Sequence, residues 1–372
     1  MKEIVERISM PASRRAGRPP PIAPTISSPI ASHKGLPIES HIIPVFPKYR
    51  GAVLLLVLGA VAILSILAIE LSHRANLDVS QASRIRRDAA FRRAFDSGLE
   101  IAKGLLIEGR STLGFNYWGE PWNRVISTQL DSDIKLSVRM ADESGKLNIL
   151  NAMGTGEGVG KARKSLARLF EHLRKAEPDR AKAWEEIEAA VYKRIGVNEE
   201  KVPPLYTLDG LREENVPREF VFGNGGIESL ALCDYLTTFG SGRININTVS
   251  KPVMYSLDEE FDQSLADEID QWRGGVNEGV SDKYRPFRKE KDLEQVEGIV
   301  LRENINGQTR VIKNLFLKIQ DRLSVKSTSY SAHLQAHVAG HTREAWGYFE
   351  LSDVPNAGKE LLKLTAYEEI EP

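Results

Sequence analysis

Residues 51–69 read GAVLLLVLGAVAILSILAI, 19 residues without a charge. At ~1.5 Å rise per residue, a helix of that length measures about 28 Å, enough to cross the hydrocarbon core of a bilayer. A helix in a soluble core rarely stays apolar on every side for five turns, so the run reads as a membrane span. A cleaved secretory signal would end at a small-x-small site and then break; here the helical pattern continues past Glu70. Charge alone does not orient the span, because Lys34, Lys48 and Arg50 precede it while Arg74, Arg84, Arg86 and Arg87 follow it.

The flanks differ sharply. Nine of the 18 prolines fall within residues 1–50, which forbids a helix of useful length and leaves no hydrophobic period. That stretch reads as disordered or polyproline-like. From Ala52 to Glu108 there is no proline at all, so one helix of about 57 residues, ~85 Å long, is expected. In its last third Phe91, Phe95, Leu99, Ala102 and Leu106 form an apolar stripe, with Arg86, Arg93, Asp96, Glu100 and Lys103 on the opposite face. One helix therefore serves lipid at its start and a folded body at its end.

The remainder mixes strand and helix signals. Residues 134–140 alternate apolar and polar, as a half-buried strand does. Tyr330, Ala332, Leu334, Ala336 and Val338 alternate with polar residues; a turn over residues 339–342 and a return strand at 345–351 would make a hairpin. Helical periods occupy residues 161–176, 179–195, 250–257, 263–272 and 290–296. The expected fold class is α+β: a long N-terminal helix, transmembrane then amphipathic, packed on a small antiparallel sheet. A large α-helical domain interrupts that sheet, with boundaries read at 52–70 (span), 71–150 (amphipathic helix and first part of the core), 151–310 (insertion) and 311–372 (closing strands and tail).

A basic residue and Gly, then some 20 apolar residues flowing into an amphipathic helix, resembles the type IV pilin-like superfamily. Here the run is Lys48-Tyr49-Arg50-Gly51 followed by AVLLLVLGAVAILSILAIE. Most members of that class carry Glu at the fifth position after the processing site; counted from Ala52, that position is Leu56. This departure is itself typical of one family, the K-type minor pseudopilins of type II secretion. Asp142-Glu143-Ser144-Gly145-Lys146-Leu147-Asn148-Ile149-Leu150-Asn151 is similar to that family's D-E-x-G-K-L-N-x-N stretch, with one extra residue before the last Asn. Arg243-Ile244-Asn245-Ile246-Asn247-Thr248 is similar to its I-N-x-N-T stretch, and residues 323–327 with 330–338 resemble its closing strands. Asp142, Glu143, Gly145, Lys146, Asn148, Asn151, Asn245, Asn247 and Thr248 are the motif residues.

The resemblance implies a pilin-like core with a helical insertion related to SAM and helix-hairpin-helix folds. It implies cleavage by a prepilin peptidase between Gly51 and Ala52, removal of residues 1–51 and methylation of the new amino terminus. Leu54, Leu55, Leu56 and Leu58 would pack in a filament core. The implied place is the inner membrane, single-pass, with the N-terminus cytoplasmic and the C-terminal domain periplasmic. The implied partners are I- and J-type minor pseudopilins, the major pseudopilin, the inner-membrane secretion platform and the peptidase. The implied role is at the tip of the pseudopilus, in assembly for protein export, not in catalysis.

Gly154, Gly156, Gly158 and Gly160 before Lys161 invite a phosphate-loop reading, but the required Gly-x4-Gly-Lys-Ser/Thr spacing fails at Thr155 and Ala162, so a flexible loop before a helix is expected. His333, His337 and His341 sit four apart, but on a strand such residues stand about 13 Å apart, too far for one metal, and are expected to face solvent. Nothing resembles a Gly-x-Ser-x-Gly or His-Glu-x-x-His site. The single cysteine, Cys233, excludes an internal disulfide framework. Calcium, which relatives can hold, would find oxygens between Asp258 and Asp262 and in residues 278–282, although a solvated acidic face is the preferred reading.

The main alternative function is a membrane-anchored helix-hairpin-helix receptor for DNA uptake, suggested by residues 244–248, 286–288 and 292–299. Such modules hold phosphate with backbone N–H groups of a Gly-x-Gly hairpin. Here the first hairpin place lacks glycine, and at the second Gly298 is followed by Ile299 and Val300. Residues 243–303 carry 9 basic and 14 acidic side chains, a net of −5 that repels phosphate. The whole-chain charge of −1 hides a similar split: residues 1–51 have 8 basic and 3 acidic residues, leaving 42 basic and 48 acidic beyond them, so no nucleic-acid partner is expected for the working chain.

Overall fold

The computed structural model describes residues 50–109, 114–196, 205–223, 230–274, 285–305, 308–353 and 360–370. The proline-rich segment 1–49 and the acidic residues 278–282 lie outside the described residues. The chain divides into two compact units, one ending at His73 and the other running from Arg74. A single helix, α1 (Arg50–Gly109), runs through the boundary. In the first unit every side chain of residues 51–73 is exposed. The described residues contain one helix long and apolar enough to cross a membrane, with a mean hydropathy of 3.0 over its most apolar window.

In the second unit α1 becomes a core helix. Ala90, Phe91, Ala94, Phe95, Leu99, Ala102 and Leu106 are all buried. The chain then forms β1 (Ile126–Asp131) and β2 (Ile134–Asp142). After two short 3-10 turns and β3 (Leu147–Asn148) come α2 (Glu157–Ala176), α3 (Ala181–Arg194), α4 (Arg218–Phe222), β4 (Leu236–Thr237), β5 (Ile244–Asn245), α5 (Lys251–Leu257) and α6 (Gln263–Arg273). The order closes with β6 (Val300–Ile305), β7 (Gln308–Asn314), α7 (Leu315–Ile319), β8 (Leu323–Ser324), β9 (Ser329–Val338), β10 (His341–Asp353) and β11 (Glu360–Ile370).

The main sheet has the order β1-β2-β9-β10-β11, antiparallel throughout. Leu136 and Val138 on β2 pair with Ala336 and Leu334 on β9, and these side chains join Phe91, Phe95 and Leu99 of α1 in one apolar core. Burying each such side chain contributes roughly 1.5–3 kcal/mol before conformational entropy is subtracted. A second core belongs to the insertion. Leu166, Leu169, Phe170 and Leu173 recur at helical spacing on α2, and all are buried with Trp184 and Val191 of α3. Asp262 caps α6 by accepting from Leu265 N at 2.8 Å, and Gly274 ends that helix in the left-handed region at φ 93°.

The long helix, the antiparallel sheet and the helical insertion match the expected class. Several local expectations change. Helix α2 starts at Glu157, so Gly158 and Gly160 belong to it and only Gly154 and Gly156 form the loop. Residues 290–295 wind as a 3-10 helix, and residues 178–180 form a 3-10 turn before α3. The β9–β10 turn is confined to Ala339 and Gly340, because His341 and Thr342 already pair with Val338 and His337. Strands β1 and β11 and the hairpin β6–β7 were not anticipated. That hairpin runs through residue 310, and the insertion's core continues through Leu315, Phe316, Ile319 and Leu323 to Val325.

Candidate functional site

The first candidate surface is the apolar stretch of α1. Leu54, Leu55, Leu56 and Leu58 all lie exposed on it, Leu56 at 74%. Gly51 and Ala52 occupy its first turn, and among the described residues nothing beyond its chain neighbours and its own helical backbone stands within 4 Å of the position a Cβ would take at Gly51. An apolar surface this long has no place in water; it needs lipid or other helices.

The second candidate is a buried polar knot where the insertion leaves and rejoins the sheet. Asp142, at the end of β2, is its centre. Its Oδ1 accepts from Ser144 N at 2.8 Å. Its Oδ2 accepts from Thr248 Oγ1 at 2.5 Å, Ser327 Oγ at 2.5 Å and Asn245 Nδ2 at 3.3 Å. Asn245 Nδ2 also donates to Ser327 Oγ at 2.7 Å and Asn116 O at 3.2 Å, while Asn116 Oδ1 accepts from Ser327 N at 2.9 Å. Burial pushes the Asp142 carboxyl up to about 6, although Ser327, Thr248 and Ser144 pull it back. Gly145 lets the chain pass: a Cβ there would stand 2.9 Å from the carbonyl oxygen of Thr248.

The neighbouring motif residues extend the knot. Glu143 pairs with Lys146 and accepts from Ser331 Oγ at 2.6 Å. Burial, the largest single effect, pulls the Lys146 ammonium down; the charge and hydrogen bond of Glu143, together with Cys233 and Asp234 nearby, outweigh it and hold the ammonium above the usual lysine range. Asn148 Nδ2 donates to the carbonyls of Phe239 and Gly240, both at 3.1 Å. Asn247 makes a two-way clasp with Phe287, donating to its O at 2.9 Å and accepting from its N at 2.8 Å. Asn151 stands apart at the surface, against Gly242. The structure thus gathers Asp142, Asn245 and Thr248 at one point, sets Glu143 and Lys146 beside them, and uses Asn148 and Asn247 as separate ties. It adds Ser327, Ser331 and Asn116. Ser327 lay inside a recognised stretch; Asn116 carried no signal.

No protein-family model matches the chain, and no curated protein matches it at a significant level. Among solved structures, it is similar to a chain of the GspK-GspI-GspJ complex from the type 2 secretion system of enterotoxigenic Escherichia coli, with a TM-score of 0.51 and 14% identity over 78% of this chain and 100% of that one. The two chains share a fold. The long apolar helix, the antiparallel sheet and the helical insertion are therefore a pilin-like α+β architecture, as expected from the motifs.

Within this shared fold the remaining candidate sites resolve differently. The three histidines do not all face solvent. His337 and His341 are exposed, but His333 stacks on Trp346 at 4.6 Å with its Nε2 3.4 Å from Glu344. Glu344 also binds Arg218 of α4 at 2.9 Å, tying the insertion to β10. The nearby His333, with help from Arg218, holds the Glu344 carboxyl down at about 2 against the opposing effect of burial. In the acidic loop between α5 and α6, Asp258 Oδ1 accepts from Glu260 N, Glu260 pairs with Lys313 and Lys318, and Asp262 is the helix cap. Among the described residues no group of three His, Cys, Asp or Glu side chains is placed to hold a metal ion. Gly298 takes a positive φ of 87°, and Ile299 beside it is buried.

Proposed function

We propose that this chain is a K-type minor pseudopilin acting at the tip of a type II secretion pseudopilus, where it starts and caps assembly for protein export. The observation that carries this reading is a single helix that suits lipid over residues 51–69 and forms a core over residues 90–106. It stands on a fold shared with a chain of a GspK-GspI-GspJ complex. On this reading a prepilin peptidase cuts after Gly51, the amino terminus at Ala52 is methylated, and the apolar helix holds the subunit in the inner membrane. The N-terminus faces the cytoplasm and the folded body the periplasm. Leu54, Leu55, Leu56 and Leu58 then pack against neighbouring helices in the filament core, with I- and J-type minor pseudopilins first, the major pseudopilin below and the secretion platform at the base.

Leu56 supports the tip. In ordinary pilins the fifth-position Glu neutralises the amino terminus of an adjacent subunit. A subunit with nothing above it meets no such amine, and a buried, unpaired carboxylate would be costly. The bulk of the insertion would also obstruct stacking along a shaft. Labelling an epitope in the insertion on intact filaments tests this: label at one filament end is the expected outcome, and label spread evenly along the shaft overturns the tip assignment.

A further inference from the structure

The start of α2, the residues just before it and the turns around Gly242 and Arg322 enclose a cavity of about 360 Å³, within the size range of small-ligand sites. Its buried lining is apolar: Leu147, Ile149, Leu166 and Ile244. Its outer lining carries three cations, Lys161, Arg243 and Arg322, beside the carboxylate of Asp321. Arg322 is fixed in place by donating to Leu257 O and Ser165 Oγ, each at 2.9 Å. Lys161 Nζ stands 3.6 Å from both Glu157 and Asp321, and Arg243 stands 3.7 Å from Glu290. These separations exceed a hydrogen bond, so among the described residues the donors of Lys161 and Arg243 are open to make one.

The backbone adds donors of its own. The N-cap of α2 is Gly156, which has no side chain to accept a bond, and the helix's first bond runs from Gly160 N to Gly156 O at 3.1 Å. The N–H groups of Glu157, Gly158 and Val159 precede that bond, and Gly158 and Val159 line the cavity. Gly158 also weakens the helix relative to Ala. Beyond its chain neighbours and the helix's own backbone, nothing in the described chain stands within 4 Å of the position its Cβ would take. Packing within the chain therefore does not call for glycine there, whereas an incoming group that must reach the backbone does. Charge then selects the ligand. The three cations stand among three carboxylates, Asp321, Glu157 and Glu290, so a phosphate dianion gains little net attraction. A single carboxylate can take the open donors while its apolar body covers Leu147, Ile149 and Ile244. We infer that this cavity binds a carboxylate carried on a short apolar body, supplied by a free acid or by the end of a polypeptide. The carboxylate meets Lys161, Arg243 and the first-turn N–H groups of α2. Such a site is additional to the assembly role proposed above and does not depend on it.

Titration calorimetry on the full chain in a neutral detergent tests the site. Isocaproate and N-acetyl-Ala-Ala-Leu stand for the two carboxylate sources, and their amides control for partition into micelles. At least one carboxylate is expected to bind, with its amide about tenfold weaker, the scale of one charge-assisted hydrogen bond lost. Tighter binding of the peptide assigns the chain end, and equal or tighter binding of isocaproate assigns the free acid. The Lys161→Gln/Arg243→Gln pair is expected to weaken the carboxylate about tenfold and leave the amide unmoved. Gly158→Leu, which favours the helix while filling the cavity, is expected to weaken both. The amide comparison is made on the wild type, so it holds whether or not either variant folds. Failure of both carboxylates to bind more tightly than about 10 mM overturns the inference. So does an amide that matches its acid, inorganic phosphate binding more tightly than either carboxylate, or folded variants that bind as the wild type does.

Discussion

Asp142 is a carboxyl buried without a cationic partner in direct contact, held by hydroxyl, amide and backbone donors from three separate parts of the chain. Because burial raises its folded pKa to about 6 from an ordinary 3.8, the folded state keeps a proton that the unfolded state has released. Its contribution to stability is therefore full below pH ~4 and is lost as the pH rises through ~6, with a ceiling of about 3 kcal/mol. Denaturant unfolding of the wild type is expected to show that fall between pH 4 and 6.5, and Asp142→Asn, which cannot ionise, is expected to lack it. Equal slopes in both proteins would remove the account of Asp142. Much of this knot was legible in the sequence as separate words: Asp142, Asn245 and Thr248 all lie in motifs that resemble a family's. What joins them was not legible, because Asp142 is 103 residues from Asn245 and 185 from Ser327, and no local period reports such a contact. Asn116 was missed for the same reason, while His333 was misread because strand alternation alone cannot tell that the insertion covers part of that sheet face.

At the scale of elements, α1 was the most legible feature, since an uncharged run and a proline-free stretch each constrain many residues at once. Strands β2, β9 and β10 were legible from alternation. Strand β11 was not: its Glu, Leu, Lys and Ala content leans toward helix, and pairing with β10 overrides that leaning. The closeness of helix and sheet was invisible too, because it depends on the absence of a side chain. Gly347 on β10 faces Leu99, where a Cβ would stand 2.4 Å from Leu99 Cδ2. Gly98 on α1 similarly faces Leu334, at 2.9 Å. Gly347→Val overfills this contact and is expected to destabilise the folded body by about 1–3 kcal/mol in urea unfolding. A variant as stable as the wild type would mean that α1 does not lie on the sheet at Leu99.

At the scale of the molecule, the chain divides its work between an apolar stretch that has no partner within the described residues and a body built from two apolar cores. The polar knot and the Arg218–Glu344 pair tie the insertion to the sheet, so the second unit is one compact body. Such a body suits a subunit that must present a large domain while its helix is engaged elsewhere. On the proposed reading that task is assembly, carried by apolar packing and not by a catalytic group. The reading stands or falls on whether the mature chain begins where the pilin-like pattern says it does, immediately after Gly51. Intact mass and N-terminal peptide analysis of the protein purified from its own membranes tests this directly. A mature chain beginning with N-methylated Ala52 is predicted, and a chain that still begins at Met1 would contradict the account.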